Sequence, residues 1–252
     1  MAKNALVTGA SRGLGRAIAN HLSRNGFRVL LTSSDTTALN HVLKELEGDG
    51  HKTIVADFTS KNDLENLLSA TQEFCGQDGL SVFFNAAAAT VDPEGEAELG
   101  ITPDDRLGTH FAISSEAPIM LLKGLKETLS AAKPSHAITM GTDWNIDGVF
   151  GPPVFAAAKA ATMEVWKHSR KEYLSAGCVL SVIVAGNIAT YDAEWAEPKW
   201  TIDDKLEDIQ AELGITRVPI ASIVAAFDFI RNAPISAVTK VELIPSDPDY
   251  EP

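Results

Sequence analysis

ALVTGASRGLGRAIA, residues 5–19, decides how the rest of the chain is read. An apolar run from Ala5 to Val7 meets Thr8 and three glycines, Gly9, Gly13 and Gly15, and a helical period follows through Leu14, Ile18 and Leu22. At a strand-to-helix junction, glycines let the chain turn tightly, bring backbone N–H groups against a pyrophosphate, and pack the helix on its strand. The helix N-terminus adds its positive dipole end. The turn therefore reads as a nucleotide cradle, and Ser11, Arg12 and Leu14 join the three glycines as cofactor-binding candidates. The competing reading is a tight turn that holds no ligand.

Working outward, short β-branched or apolar runs alternate with helical patterns along the chain. The runs are ALVTG (5–9), FRVLLTS (27–33), KTIVAD (52–57), LSVFFN (80–85), HAITMG (136–141), CVLSVIVAG (178–186) and TKVELIP (239–245). They are continuously apolar, as strands buried on both faces should be. Leu64, Leu67 and Leu68 mark a helical stretch between two runs, and Gly26 stands where a glycine would end the first helix. Strand–helix alternation predicts an α/β fold: one Rossmann-like, doubly wound parallel sheet of about seven strands with helices on both faces. The expectation is one domain spanning residues 1–252. Two segments break the alternation, 89–105 and 191–214, the second containing Trp195 and Trp200. Both follow strands, so both are elaborated loops at the carboxyl edge, where open α/β sheets bind ligands.

The bulk composition excludes several classes. A net charge of −13 with only 21 Lys+Arg argues against nucleic-acid binding. The same acidity is either an ordinary solvated surface or a field that favours cationic substrates. VLSVIVAG (179–186) is too short for a membrane span, and MAKNALVTGASRG has no signal-peptide layout. Two cysteines, Cys75 and Cys178, suggest a reduced compartment, so a cytoplasmic location is expected. No Cys/His spacing suggests a metal, and no nucleophile–His–Asp set is present.

The pattern TGxxxGxG in TGASRGLG (8–15) resembles the short-chain dehydrogenase/reductase family, and the resemblance extends over essentially the whole chain. It implies a nicotinamide dinucleotide. Asp57 and Phe58 in VADF match the acidic segment that contacts the adenine. Asn85 and Ala86 in NAAA (85–88) match an NNAG segment whose second Asn is here alanine. AGNIAT (185–190) resembles PGxIxT, which places Gly186, Ile188 and Thr190 by the nicotinamide carboxamide. RVPIASIVAAFDFI (217–230) resembles the late helix before the final strand. For cofactor choice, an NAD site needs a carboxylate at the end of the second strand. That position is Ser33, and Asp35 comes two residues later. Arg12 could pair with a 2′-phosphate, with Ser33 and Ser34 as donors, which favours NADP(H). Arg12 is otherwise a surface cation on the first helix.

The family's reaction centre combines Asn, Ser, Tyr and Lys. In AISSEAPIMLL (112–122), Ala117-Pro118 sets the register and puts Ser114 at the asparagine position. Thr142 stands at the serine position, Phe155 at the tyrosine position and Lys159 four residues on. The 13-residue step from Thr142 to Phe155 matches the family interval. Phenylalanine transfers no proton, and losing a general acid costs about 10²–10⁴ in rate. Lys159 can still hold the ribose.

Hydride delivery to a cationic electrophile needs no acid at an oxygen, and an iminium ion is the plain case. Asp143 would stabilise that cation and Thr142 would orient the substrate, with Asp147, Trp144 and Phe155 nearby on the segment. Asp143 alternatively caps a turn, and Asp147 is alternatively a solvated loop residue. His110, one turn before Ser114, either faces the cleft or lies on a helix face; Tyr191 is a further acid candidate, whereas Tyr173 and Tyr250 sit too far along. Trp195 and Trp200 are lid or core packing, or substrate contacts.

The expectation is an NADP(H)-dependent reductase of a small-molecule iminium, imine or other activated acceptor, in specialised biosynthesis. Its candidate reaction-centre residues are Ser114, Thr142, Asp143, Phe155 and Lys159. Alternatives are a non-redox NADP(H) sensor and a cyclisation or elimination in the same pocket. The alanine-rich stretch from Ala156 to Tyr173 suggests a subunit interface of a dimer or tetramer, or simple core packing.

Overall fold

The computed structural model of the chain describes residues 3–91, 98–143, 152–186, 188–189, 218–233 and 237–244. Seven strands form one parallel sheet in the order β3-β2-β1-β4-β5-β6-β9. They are β1 Lys3–Thr8, β2 Phe27–Ser33, β3 Lys52–Val55, β4 Val82–Asn85, β5 Ser135–Thr142, β6 Cys178–Ala185 and β9 Lys240–Leu243. Two further two-residue strands, β7 Ile188–Ala189 and β8 Val218–Pro219, pair only with each other. The fold is the doubly wound α/β sheet expected, and each apolar run supplies one strand of it. The runs were longer than the strands at several ends. KTIVAD, for example, leaves the sheet at Val55, because Asp57 starts a turn in which Ser60 N–H donates to its carbonyl at 2.9 Å.

Alternate residues of each central strand feed two separate cores. Ala5 and Val7 of β1, Val82 and Phe84 of β4, and Ile138 and Met140 of β5 face one layer of helices. Leu6, Phe83 and Ala137 face the other. The first layer comprises α1 Gly13–Arg24, α2 Thr36–Glu45 and α8 Ile220–Asn232; the second comprises α3 Lys61–Cys75, α5 Ala117–Gly124, α6 Lys126–Ala131 and α7 Pro153–Ser175. Period-2 burial on both faces is why the strands read as unbroken apolar runs. Trp166 of α7 anchors the second core: it is 0% exposed, and its indole N–H donates to Ala137 O at 3.3 Å.

The chain winds outward through β2 and β3, then returns to lay β4 on the other side of β1. This reversal opens a crevice beyond the carboxyl ends of β1 and β4. The glycine turn after β1 and the NAAA segment after β4 both end there.

A long bent helical rod crosses the second face. It runs from α4 Asp104–Phe111 through a π turn, Ala112–Glu116, into α5. Its cause lies in the sequence. An α-helical Ser114 carbonyl would accept from the N–H of residue 118, and Pro118 has none. The Ala117 N–H instead reaches back to Ala112 O, an i→i+5 closure.

Candidate active site

The glycine turn is built backbone against backbone. Gly9 has φ +64°, and a Cβ there would lie 2.9 Å from Ala87 N. A Cβ on Gly15 would lie 2.2 Å from Gly9 O, so only glycine lets α1 close on the turn. No side chain caps α1, whereas Asp35 caps α2 and Ser60 caps α3. The first-turn N–H donors of α1, from Gly13 to Gly15, therefore remain available to a phosphate. An uncapped helix start, glycines that bar any Cβ and a position at the strand-order reversal together fit a dinucleotide's pyrophosphate. Ser11 and Arg12 are half-buried beside it and Leu14 is buried; Arg12 Nη2 lies 3.5 Å from Thr90 Oγ1.

At the end of β2, Asp35 accepts from Ala38 N at 2.9 Å and so caps α2. Its own N–H donates to Ser33 Oγ at 3.1 Å. The carboxylate that came two residues late is thus engaged in a helix cap, and Ser34 is exposed next to it. Asp57 is exposed, and its Oδ1 accepts from the N–H and hydroxyl of Thr59 at 2.9 and 2.8 Å. Those two donors hold its carboxyl below the ordinary value. Phe58 is buried.

Asn85 ties the sheet's carboxyl edge together from the inside. Its Oδ1 accepts from Thr8 Oγ1 at 2.8 Å, and its Nδ2 donates to Thr139 Oγ1 at 3.0 Å. The Ala87 N–H in turn donates to Thr8 Oγ1 at 3.2 Å. The asparagine side chain thus bridges β1, β4 and β5, and the backbone around Ala86 meets the glycine turn. Gly186 is buried, with its N–H on Leu243 O at 3.1 Å, and Ile188 is half-buried in β7. Thr190, Trp144, Asp147, Tyr191, Trp195, Trp200 and Tyr250 lie outside the described residues.

Beyond β5 the second group assembles. Thr142 ends the strand and Asp143 follows; the two are 6% and 2% exposed. Lys159 projects from α7 and is 4% exposed, with Nζ donating to Met140 O at 3.1 Å. Burial lowers its pKa to about 8. The Phe155 ring lies one turn earlier on the helix, its centroid 5.7 Å from Nζ. His110, fully buried, packs edge-on against the same ring at 5.9 Å. His110 thus sits on the face of α4 that packs on α7, beside the candidate residue Phe155. Arg106 Nη2 sits 3.5 Å from His110 Nε2 and also donates to Thr90 O. Ser114 lies in the π turn, where its hydroxyl accepts from Ala89 N at 3.0 Å. Tyr173 is remote, with its hydroxyl on Leu122 O at 2.9 Å and its pKa raised by burial.

Sequence reasoning missed Thr162. Its hydroxyl donates to Ser114 O at 2.7 Å, satisfying the carbonyl that Pro118 leaves without an amide. Pro118 was the available signal, since a proline inside a helical pattern leaves a carbonyl four residues earlier in need of a donor. Among the described residues no cluster suits a metal ion, and no helix is long and apolar enough to cross a membrane.

An uncharacterized oxidoreductase of Staphylococcus saprophyticus is 26% identical over 208 residues, 78% of this chain and 84% of that protein. One from Staphylococcus aureus is 24% identical over 188 residues, 75% and 79%. Among solved structures, a metagenomic short-chain oxidoreductase in complex with NADP superposes with a TM-score of 0.73 at 23% identity, covering 97% of both chains. An alcohol dehydrogenase from Thermococcus sibiricus complexed with 5-hydroxy-NADP gives 0.79 at 18%, covering 99% of this chain and 100% of that one. Actinorhodin polyketide ketoreductase with NADPH gives 0.78 at 18%, covering 99% and 98%. At these identities the structures establish the shared fold. The short chain dehydrogenase family model matches residues 3–199, and the chain belongs to that family of oxidoreductases.

Proposed function

We propose that this chain is an NADP(H)-dependent reductase whose hydride acceptor is an iminium, an imine or another activated group rather than a simple ketone. One observation carries the reading. The residue four before the buried Lys159 is Phe155, whose ring packs against His110, lies 5.7 Å from Lys159 Nζ and bears no hydroxyl. A ketone reduced there would have no phenol to protonate its oxygen.

When bound, the reduced nicotinamide supplies the hydride. The remaining functions fall to the chain. The first-turn amides of α1 and the glycine turn would hold the pyrophosphate, and Asp57 and Phe58 would border the adenine. Arg12, Ser33 and Ser34 would receive a 2′-phosphate; this preference is supported by a serine at the end of β2 and by the engagement of Asp35 Oδ1 in capping α2. Lys159 would hold the nicotinamide ribose through hydrogens not taken by Met140 O. Asp143 would face the cationic substrate and Thr142 would orient it. The NADP-bound and NADPH-bound family structures of the same fold support the cofactor choice. A dimer or tetramer belongs to the same proposal.

The test is direct. Purified protein with NADPH is offered a panel of cyclic iminium salts and imines, and loss of the reduced-cofactor absorbance is followed. Turnover of at least one, with simple ketones inert, is expected. Tight NADPH binding without turnover of any compound would replace the reductase by an NADP(H) sensor, the reading that an intact glycine turn beside an altered reaction centre also favours.

A further inference from the structure

We infer that Lys159 is itself the proton donor of this site, passing a proton from Nζ to the nitrogen of a neutral cyclic imine; the inference rests on the reductase reading and narrows its substrate class. Three features of the geometry carry it. First, Lys159 is almost fully buried, and among the described residues its one hydrogen bond goes to a backbone carbonyl, Met140 O at 3.1 Å. An ammonium has three hydrogens to donate, so two are left, one for the nicotinamide ribose and one for the substrate nitrogen. Second, Lys159 has no carboxylate partner in an ion pair among the described residues. A buried charge without a counterion is costly and gains from sharing its proton with a basic nitrogen. Third, Phe155 places a ring face toward Nζ at 5.7 Å and interposes no acid of its own. The ring stabilises the ammonium without competing for the proton.

The ionisable surroundings agree with this role. Against the Phe155 ring, α4 presents His110 with Arg106 beside it. Asp143 stands three residues past Met140, just after β5. α7 itself offers Phe155, Met163 and Thr162, the last engaged with the π turn. Burial, not a charged neighbour, brings the amine to about 8. General acid catalysis works best when the acid's pKa is near the operating pH.

The step balances. The imine carbon accepts the hydride that a reduced nicotinamide supplies, and the C=N π pair becomes the nitrogen lone pair. That nitrogen takes a proton from Nζ, giving a neutral amine and a neutral lysine, which regains its proton from water. An N-methyl iminium of the same ring skeleton needs no proton at all.

The experiment compares the two substrates in wild type and in Lys159→Arg. Arginine keeps a cation and donors at this position but does not act as an acid. Altered cofactor binding affects both substrates and cancels in the ratio of their rates. The ratio of neutral-imine to N-methyl-iminium turnover should fall by about 10²–10⁴ in Lys159→Arg. Independently of turnover, cofactor-free protein carrying ¹⁵N-labelled lysine should show one side chain titrating at about 8, absent from Lys159→Arg. An unchanged ratio, or a Lys159 nitrogen that titrates with the surface lysines, overturns the inference and leaves the reductase reading standing. If wild type reduces neither substrate, the reductase reading fails and this inference fails with it.

Discussion

The two halves of the site are made of different material. Around the glycine turn the decisive approaches are backbone on backbone: Gly15 against Gly9 O, and Gly9 against the amide of Ala87. Around Lys159 they are side chain on side chain or side chain on carbonyl: Phe155 on His110, Lys159 on Met140 O, Thr162 on Ser114 O. A backbone-built site tolerates almost no substitution, because any Cβ collides with atoms that cannot move aside. A side-chain-built site can be rewritten one residue at a time while its frame survives. The same fold can therefore keep its glycine turn while the side chains around Lys159 change.

Four measurements would break or sharpen that contrast. The largest effect is expected from Phe155→Tyr, which adds a hydroxyl where the side-chain half lacks one. NADPH-dependent reduction of simple ketones should rise about 10²–10⁴ above the wild-type background. No gain at all would show that more than the phenol separates this centre from a carbonyl reductase. Next comes Gly15→Ala in the backbone half. A Cβ 2.2 Å from Gly9 O forces the turn apart. Overpacking of this kind costs about 1–3 kcal/mol. NADPH affinity measured by fluorescence titration should drop by about tenfold or more, and affinity equal to wild type would contradict the packing.

The third effect is a slope. Lys159 falls from 10.5 to about 8 in the folded chain, so between those values the unfolded chain holds more protons than the folded one. Stability should therefore rise with pH from about 8 to 10.5 relative to a variant without this amine. Denaturant unfolding of wild type and Lys159→Met across that range tests the sign, and parallel curves would mean that the lysine is not desolvated. The smallest change is Asp35→Ala, which removes the cap of α2. It should cost about 1 kcal/mol of stability. NADPH-over-NADH preference should stay the same, and a swing in preference would show that Asp35 also reads the ribose.

The backbone half was readable for a physical reason. Its shape depends on what glycine lacks, and TGASRGLG displays those absences in order. The sheet was readable because burial on both faces leaves each strand as an apolar run. The side-chain half was readable only in register: Thr142, Phe155 and Lys159 fall at their intervals, but spacing does not tell where a side chain turns. That His110 packs on Phe155 and that Thr162 reaches across to Ser114 depend on the angle between α7 and the rod, and that Asn85 joins three strands depends on the strand order. Nothing local in the sequence states that angle. Asp35 was ambiguous for a related reason, because a carboxylate after a strand suits both a ribose and a helix cap, and only geometry separates them.

The π turn at Ala112–Glu116 also acts as a phase shifter. It carries one residue more than a regular turn, about 100° of helical rotation. Everything before it, including Arg106 and His110, is thereby rotated relative to Leu121 and Leu122, which remain seated in the core. Removing a single residue from this turn would change that rotation while altering no side chain of α4 or α5. It would nonetheless swing His110 off the Phe155 ring and Arg106 off Thr90. The face that α4 turns toward α7 is thus set by the residue count of the turn that Pro118 imposes.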